Sequence, residues 1–208
     1  MPKKSIEFLK SHVRDHLAIY FFVFFCFLIG ISVGAFTVKA IEVHQKQDLV
    51  AYLKSFFQIF QGDQILGREI FKQSLVNNLQ LIFFNWLLGL LILGIPFLFM
   101  IIGFKGFVMG FTVGLLIEEF QLQGILVFLL AVLPQNLLII PCFIFSAALS
   151  LGFSFRFIKG KLKGGRNYQY FSHLLQYSTL HLPVVGIMIA AAIIEAYLSP
   201  LFIRLIVK

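Results

Sequence analysis

Glu195 stands well inside an apolar stretch, and Lys105, Glu118 and Glu119 lie in or at the edges of others. A carboxylate or ammonium at such a depth in a membrane is costly, so it marks an ion, proton or substrate site by default. Glu195 also has a structural reading, as a protonated or hydrogen-bonded carboxyl turned toward Gln135 or Asn136. Those two amides follow Pro134 in Leu133-Pro134-Gln135-Asn136-Leu137-Leu138-Ile139-Ile140-Pro141. A proline removes a helical hydrogen bond. In hydrocarbon only protein or a water-filled cavity can replace it, and two amides supply donors and acceptors for that. Pro134, Gln135, Asn136, Pro141 and Glu195 are therefore the candidate helix break and polar core.

Other chemistries find little support. No HExxH, no cysteine pair at metal spacing and no Gly-x-Ser-x-Gly occurs. Glu118-Glu119 has the paired glutamates of an intramembrane metalloprotease, without the arginine and downstream histidines that chemistry needs. Gly152-Phe153-Ser154 does not make an intramembrane serine site, and Lys163-Gly164-Gly165-Arg166 lacks the Gly-Lys-Ser/Thr end of a phosphate loop. His12 and His16 are one turn apart beside Asp15, at the membrane edge. The two cysteines, Cys26 and Cys142, sit in apolar runs as small hydrophobes. No catalytic residue, metal, cofactor or nucleic-acid partner is expected, and the chain reads as non-enzymatic.

The elements that hold these residues must be membrane helices. Of 208 residues, 60% are hydrophobic and 12% charged, with 27 Phe. A soluble fold of this size could not cover that apolar surface, and several runs reach the roughly 20 residues that span a bilayer. We expect an all-α polytopic bundle of about five transmembrane helices in one membrane domain, with broken or re-entrant segments and extracytoplasmic amphipathic helices. Residues 1–16 form a basic cytoplasmic lead, 17–38 the first span, 39–78 an extracytoplasmic segment and 79–104 the second span. Gly94-Ile95-Pro96 predicts a kink in that second span, and Lys105 a cap on its inner side. Residues 106–118 follow as a third segment, either a tilted span or half of a re-entrant hairpin. Residues 124–156 are a broken fourth span, 157–180 a cytoplasmic loop and 182–206 the fifth span.

Small residues prepare close helix packing. Gly30 and Gly34 form one GxxxG pair, and Gly106, Gly110 and Gly114 form two consecutive steps of another. Their partners could lie within the chain or in a homodimer. In the extracytoplasmic segment Leu49, Leu53, Phe56, Phe57 and Phe60 make a helical stripe. It either rests on lipid or the bundle, or docks a partner. Arg156, Lys159, Lys161, Lys163 and Arg166 gather with no acid among them. That marks the cytoplasmic side and attracts anionic lipid headgroups.

Four stretches carry a resemblance. Gln45-Lys46-Gln47-Asp48-Leu49, Phe71-Lys72-Gln73-Ser74, Lys105 through Gly114, and Leu133 through Pro141 are similar, in order and spacing, to the stage II sporulation protein M family. The likeness runs along nearly the whole chain, including Glu195-Ala196 in the last span. In the wider superfamily the central motif resembles Pro-His-Gly-x-x-Glu-x-Pro. Here Pro134 and Pro141 match, while Gln135, Asn136 and Ile139 replace the His, Gly and Glu. The resemblance implies a multi-pass cell-membrane protein at the septal, engulfing membrane of a sporulating bacterium. It would gather the peptidoglycan-degrading stage II sporulation proteins P and D there. The departure at Gln135, Asn136 and Ile139 argues for a non-enzymatic scaffold, and the glycine faces for a homo-oligomer. A small transporter or channel component is the alternative, suggested by the broken helices and the midplane amides.

Overall fold

Leu17 to Ala40 is apolar on every side, as suits a helix in lipid. In the computed structural model, which describes residues 14, 17–61, 67–91, 94–162 and 170–206, it forms α1 (Leu17–Ala40). The other elements are α2 (Val43–Gln61), α3 (Gly67–Gly89), α4 (Gly94–Val127), a π-helical turn (Phe128–Val132), α5 (Leu133–Leu162) and α6 (Tyr170–Ile206). All described elements are helical. Three stretches are long and apolar enough to cross a membrane: Leu17–Ala40, Gly94–Ile158 and Ser172–Ile206.

The glycines set the central contact. The buried face of α1 is Val23, Phe27, Gly30, Gly34 and Val38. A Cβ added to Gly30 would overlap the Gly103 carbonyl, and one on Gly34 the Phe107 carbonyl. In return, a Cβ on Gly106 would overlap the Phe27 carbonyl, and one on Gly110 the Ile31 carbonyl. Gly114 faces Val38 and Ala35. Higher numbers on α1 meet higher numbers on α4, so the two helices are parallel and backbone meets backbone. Both glycine faces thus meet within one chain.

That pairing dictates the path of the chain. Because α4 starts at the same end of the bundle as α1, α3 must carry the chain back along the bundle before α4 begins. The apolar run 79–104 is accordingly two helices rather than one. A turn closes where the Leu90 and Leu91 N–H groups bond the Leu87 and Leu88 carbonyls, each at 3.1 Å. Gly94 is needed there, since a Cβ would overlap the Leu88 carbonyl. Pro96 then falls in the first turn of α4, where its missing N–H has no helical partner to lose, and no kink results. Lys105 does not cap a span; it lies in the middle of one, about 17 Å along α4 at 1.5 Å per residue. Residues 106–118 belong to this full-length helix.

The long apolar stretch 94–158 crosses twice because it folds back. Gln121 has φ 48° and ψ −121°, a left-handed conformation uncommon outside glycine. Beyond it, a Cβ on Gly124 would overlap the Leu116 carbonyl. Eight residues along a straight helix would separate such atoms by about 12 Å. Among the described residues, α1, α3, the two arms of this hairpin and α6 run side by side in one helical bundle. The central core joins Val23 and Phe27 of α1 with Leu98 and Ile102 of α4, Phe143 and Leu151 of α5, and Met188 of α6. Outward faces carry exposed Phe21, Phe25, Phe36, Met100 and Phe104, as lipid contact requires.

Candidate functional site

The helix break is a change of register, not an unwound segment. Pro134 has no N–H for the turn before it, and the chain answers with the π turn, in which the Leu133 N–H bonds the Phe128 carbonyl. Asn136 Nδ2 donates to the Val132 carbonyl at 2.8 Å. Ser199 Oγ of α6 lies 2.6 Å from the Ala131 carbonyl and 2.5 Å from Gln135 Oε1, sharing its proton between them. Pro141 sits further along α5 with an exposed ring. Asn136 therefore serves the backbone ahead of Pro134, Gln135 accepts from Ser199 of α6, and neither bonds Glu195 among the described residues.

Glu195 turns instead to α3. Ser74 Oγ donates to its Oε2 at 2.6 Å, and Asn78 Nδ2 donates to Ser74 Oγ at 3.3 Å. Ser74 and Asn78 open the buried face of α3, which continues through Ile82, Asn85 and Gly89. This face is largely polar, which is why α3 reads weakly as a span in the sequence. Lys105 lies near enough to feel the Glu195 charge, without an ion-pair contact between them among the described residues.

Lower on α3 a second polar layer joins three helices. Asn85 Nδ2 lies 3.5 Å from Ser146 Oγ, and Ser150 Oγ donates to the Ser146 carbonyl at 2.9 Å. The Tyr177 hydroxyl lies 2.8 Å from Ser150 Oγ and 2.9 Å from the Trp86 carbonyl, sharing its proton between them. Ser154 Oγ donates to the Gly89 carbonyl at 2.6 Å, and Trp86 Nε1 to Ser178 Oγ at 3.1 Å. His181 Nδ1 lies 3.0 Å from the Tyr177 carbonyl; a carbonyl only accepts, so Nδ1 carries the proton and Nε2 is an acceptor. Nε2 and Asn85 Oδ1 are buried without partners among the described residues. Gly89 allows the layer to close, since a Cβ there would overlap the Tyr177 hydroxyl.

The sequence alone does not bring these residues together: Ser74 enters only through the family resemblance and Ser154 only as a rejected serine site. A signal existed: Ser146, Ser150 and Ser154 recur every fourth residue, and Ser74, Asn78, Asn85 and Gly89 fit one helical face. The constellation ties helices together through side chains that satisfy one another. No group of three or more metal-ligating side chains occurs among the described residues.

The predicted docking stripe is largely turned inward. Phe57 is 5% exposed and packs with Leu116 and Phe120, while Leu49 and Leu53 pack beside Val38, Val50 and Leu115. The side chains of Phe56 and Phe60 lie outside the described set. Ion pairs fasten α2 to the far end of α4: Lys46 to Glu118, and Lys54 Nζ to Glu119 Oε1 at 3.4 Å. The face left open carries His44, Asp48, Tyr52 and Ser55. Of the basic cluster, Arg156 is exposed near the end of α5. The side chains of Lys159 and Lys161, and residues Lys163 and Arg166, lie outside the described set.

One family matches this chain: that described as Stage II sporulation protein M, over residues 23–200. No curated protein and no solved structure gives a significant match.

Proposed function

We propose a role from one premise: this chain belongs to the stage II sporulation protein M family, and it is a sporulation-related, polytopic helical membrane protein. In this reading it is a non-enzymatic scaffold for engulfment of the forespore. It gathers stage II sporulation proteins P and D, which degrade peptidoglycan, at the septal membrane. Residues 1–16 and the basic cluster around Arg156 then face the cytoplasm, the latter against anionic lipid. Helix α2 lies outside.

The observation that supports the reading is the fixing of α2. Its apolar stripe is buried on the bundle and its lysines are paired to Glu118 and Glu119. A helix held in this way presents Asp48, Tyr52 and Ser55 in one orientation, which is what a partner-gathering surface needs. The glycine faces are occupied within the chain, so a homodimer would have to form on another face.

The test is co-purification from sporulating cells. Asp48→Ala with Tyr52→Ala should leave the protein in the membrane at its normal level while reducing recovery of proteins P and D at least severalfold. Undiminished recovery would remove α2 as the gathering surface, and absence of both partners from the wild-type complex would remove the scaffold reading.

A further inference from the structure

We infer that the groove between α3 and α4 receives a membrane-spanning helix of another protein, one that carries a carboxylate near the bilayer midplane. The groove has a volume of about 410 Å³ and is lined by Asn77, Gln80 and Phe84 of α3 and by Ile101, Phe104 and Lys105 of α4, among others. Two features of it do not suit lipid.

The first is the outer face of α3. Gln73, Asn77 and Gln80 are all exposed and fall on one helical face. Gln73 Nε2 donates to Asn77 Oδ1 at 3.2 Å, which leaves the Asn77 amide NH2 and the Gln80 amide without a hydrogen bond among the described residues. This stripe faces outward from the bundle, on the same side as the exposed Phe84 of α3 and Phe104 of the apolar α4. In hydrocarbon an amide has no water to bond, and polar side chains on such faces join one helix to another.

The second is Lys105. It is about 17 Å from the start of α4 and about 22 Å from Phe120 at 1.5 Å per residue, too deep for its ammonium to snorkel to either interface. It makes no hydrogen bond or ion pair among the described residues, although Glu195 acts on it at longer range. Lys105 lines the groove beside Asn77 and Gln80. A cation at that depth calls for an anion on whatever fills the groove.

Charge also selects among occupants. A second copy of this chain packed two-fold on the same groove would set Lys105 against Lys105 in a medium that screens little. A phospholipid keeps its phosphate at the interface. A foreign helix with a central Glu or Asp meets the ammonium and both amides, while its apolar remainder lies on Phe84 and Phe104. This surface is separate from the face of α2.

The test uses the purified full-length protein in phosphatidylcholine vesicles with fluorescent Leu/Ala transmembrane peptides that carry a central Glu, a central Lys or neither. Energy transfer should show the Glu peptide binding at least tenfold more tightly than the all-apolar one. Lys105→Gln should reduce that preference to less than threefold, and Lys105→Glu should transfer it to the Lys peptide. Should the lysine variants not accumulate, Asn77→Leu with Gln80→Leu, both on the exposed face, should weaken Glu-peptide binding at least threefold. Equal binding of the Glu and apolar peptides by the wild type would overturn the inference. So would loss of the preference in vesicles containing phosphatidylglycerol, or a Phe104→Cys protein that forms a disulfide-linked homodimer in native membranes. If proteins P and D fail to co-purify while the Glu peptide binds selectively, the scaffold reading falls and this one stands.

Discussion

The Ser74 hydroxyl donates to the Glu195 carboxylate at 2.6 Å across a sequence separation of 121 residues. This bond ties α6 to α3, the helix whose buried face is the most polar in the bundle. Removing the donor leaves a part-buried carboxylate with less compensation, a loss of about 1–3 kcal/mol. Ser74→Ala should therefore lower stability in a mixed-micelle denaturation by that amount. Glu195→Gln, which keeps an acceptor for the Ser74 hydroxyl, should cost less. Equal losses in the two variants would show that the bond is not what matters.

The α1–α4 contact predicts a steep contrast among glycines. At Gly110 an added Cβ would strike the backbone of Ile31, which cannot rotate away, whereas at Gly186 nothing lies within 4 Å. Gly110→Ala should destabilise by about 1–3 kcal/mol, the usual range for overpacking, and Gly110→Leu should prevent accumulation in the membrane. Gly186→Ala should be neutral. Immunoblots of membrane fractions and micelle unfolding would measure all three.

Tyr177 closes the lower polar layer with bonds to Ser150 and to the Trp86 carbonyl. Tyr177→Phe keeps the ring stacked on Phe153 and removes only the hydroxyl. The expected loss is about 1–3 kcal/mol, because buried groups lose their partner. Amide exchange should rise at the α3 end near Trp86 and not at Ser74.

The ion pairs of α2 should matter little for global stability. Their side chains are partly exposed, so each contributes less than about 1 kcal/mol and is weakened by salt. Their effect is on position. Lys46→Glu should increase amide exchange across α2, and adding Glu118→Lys should restore protection. A double variant that exchanges as fast as the single one would show that the pair does not hold α2.

At the helix break, Ser199→Ala should cost about 1–3 kcal/mol, since the Ala131 carbonyl and Gln135 lose their shared donor. Asn136→Leu should cost about 0.5–1.5 kcal/mol, a single amide-to-carbonyl bond. Thermal unfolding in detergent separates the two; a larger loss for Asn136→Leu would show that the π turn depends on its local bond and not on α6.

The amino-acid sequence by itself determined the class of the molecule and its local devices. Run length and composition place α1 and α6 in a membrane, because transfer to lipid depends on the residues of one segment alone. The glycine spacing at Gly30, Gly34, Gly106, Gly110 and Gly114, and the disturbance at Pro134, are local for the same reason. Only the tertiary structure decided the rest. Nothing in the run 79–104 marks the turn at Leu90 and Leu91, because both arms are apolar and the turn is set by α4 lying parallel to α1. Hydropathy does not tell a face toward lipid from a face toward protein, so the partner of Glu195 is Ser74 and not Gln135 or Asn136. The stripe of Leu49, Leu53 and Phe57 covers the bundle for the same reason. Polar contacts between distant helices follow from how those helices pack, and packing is a property of the whole chain.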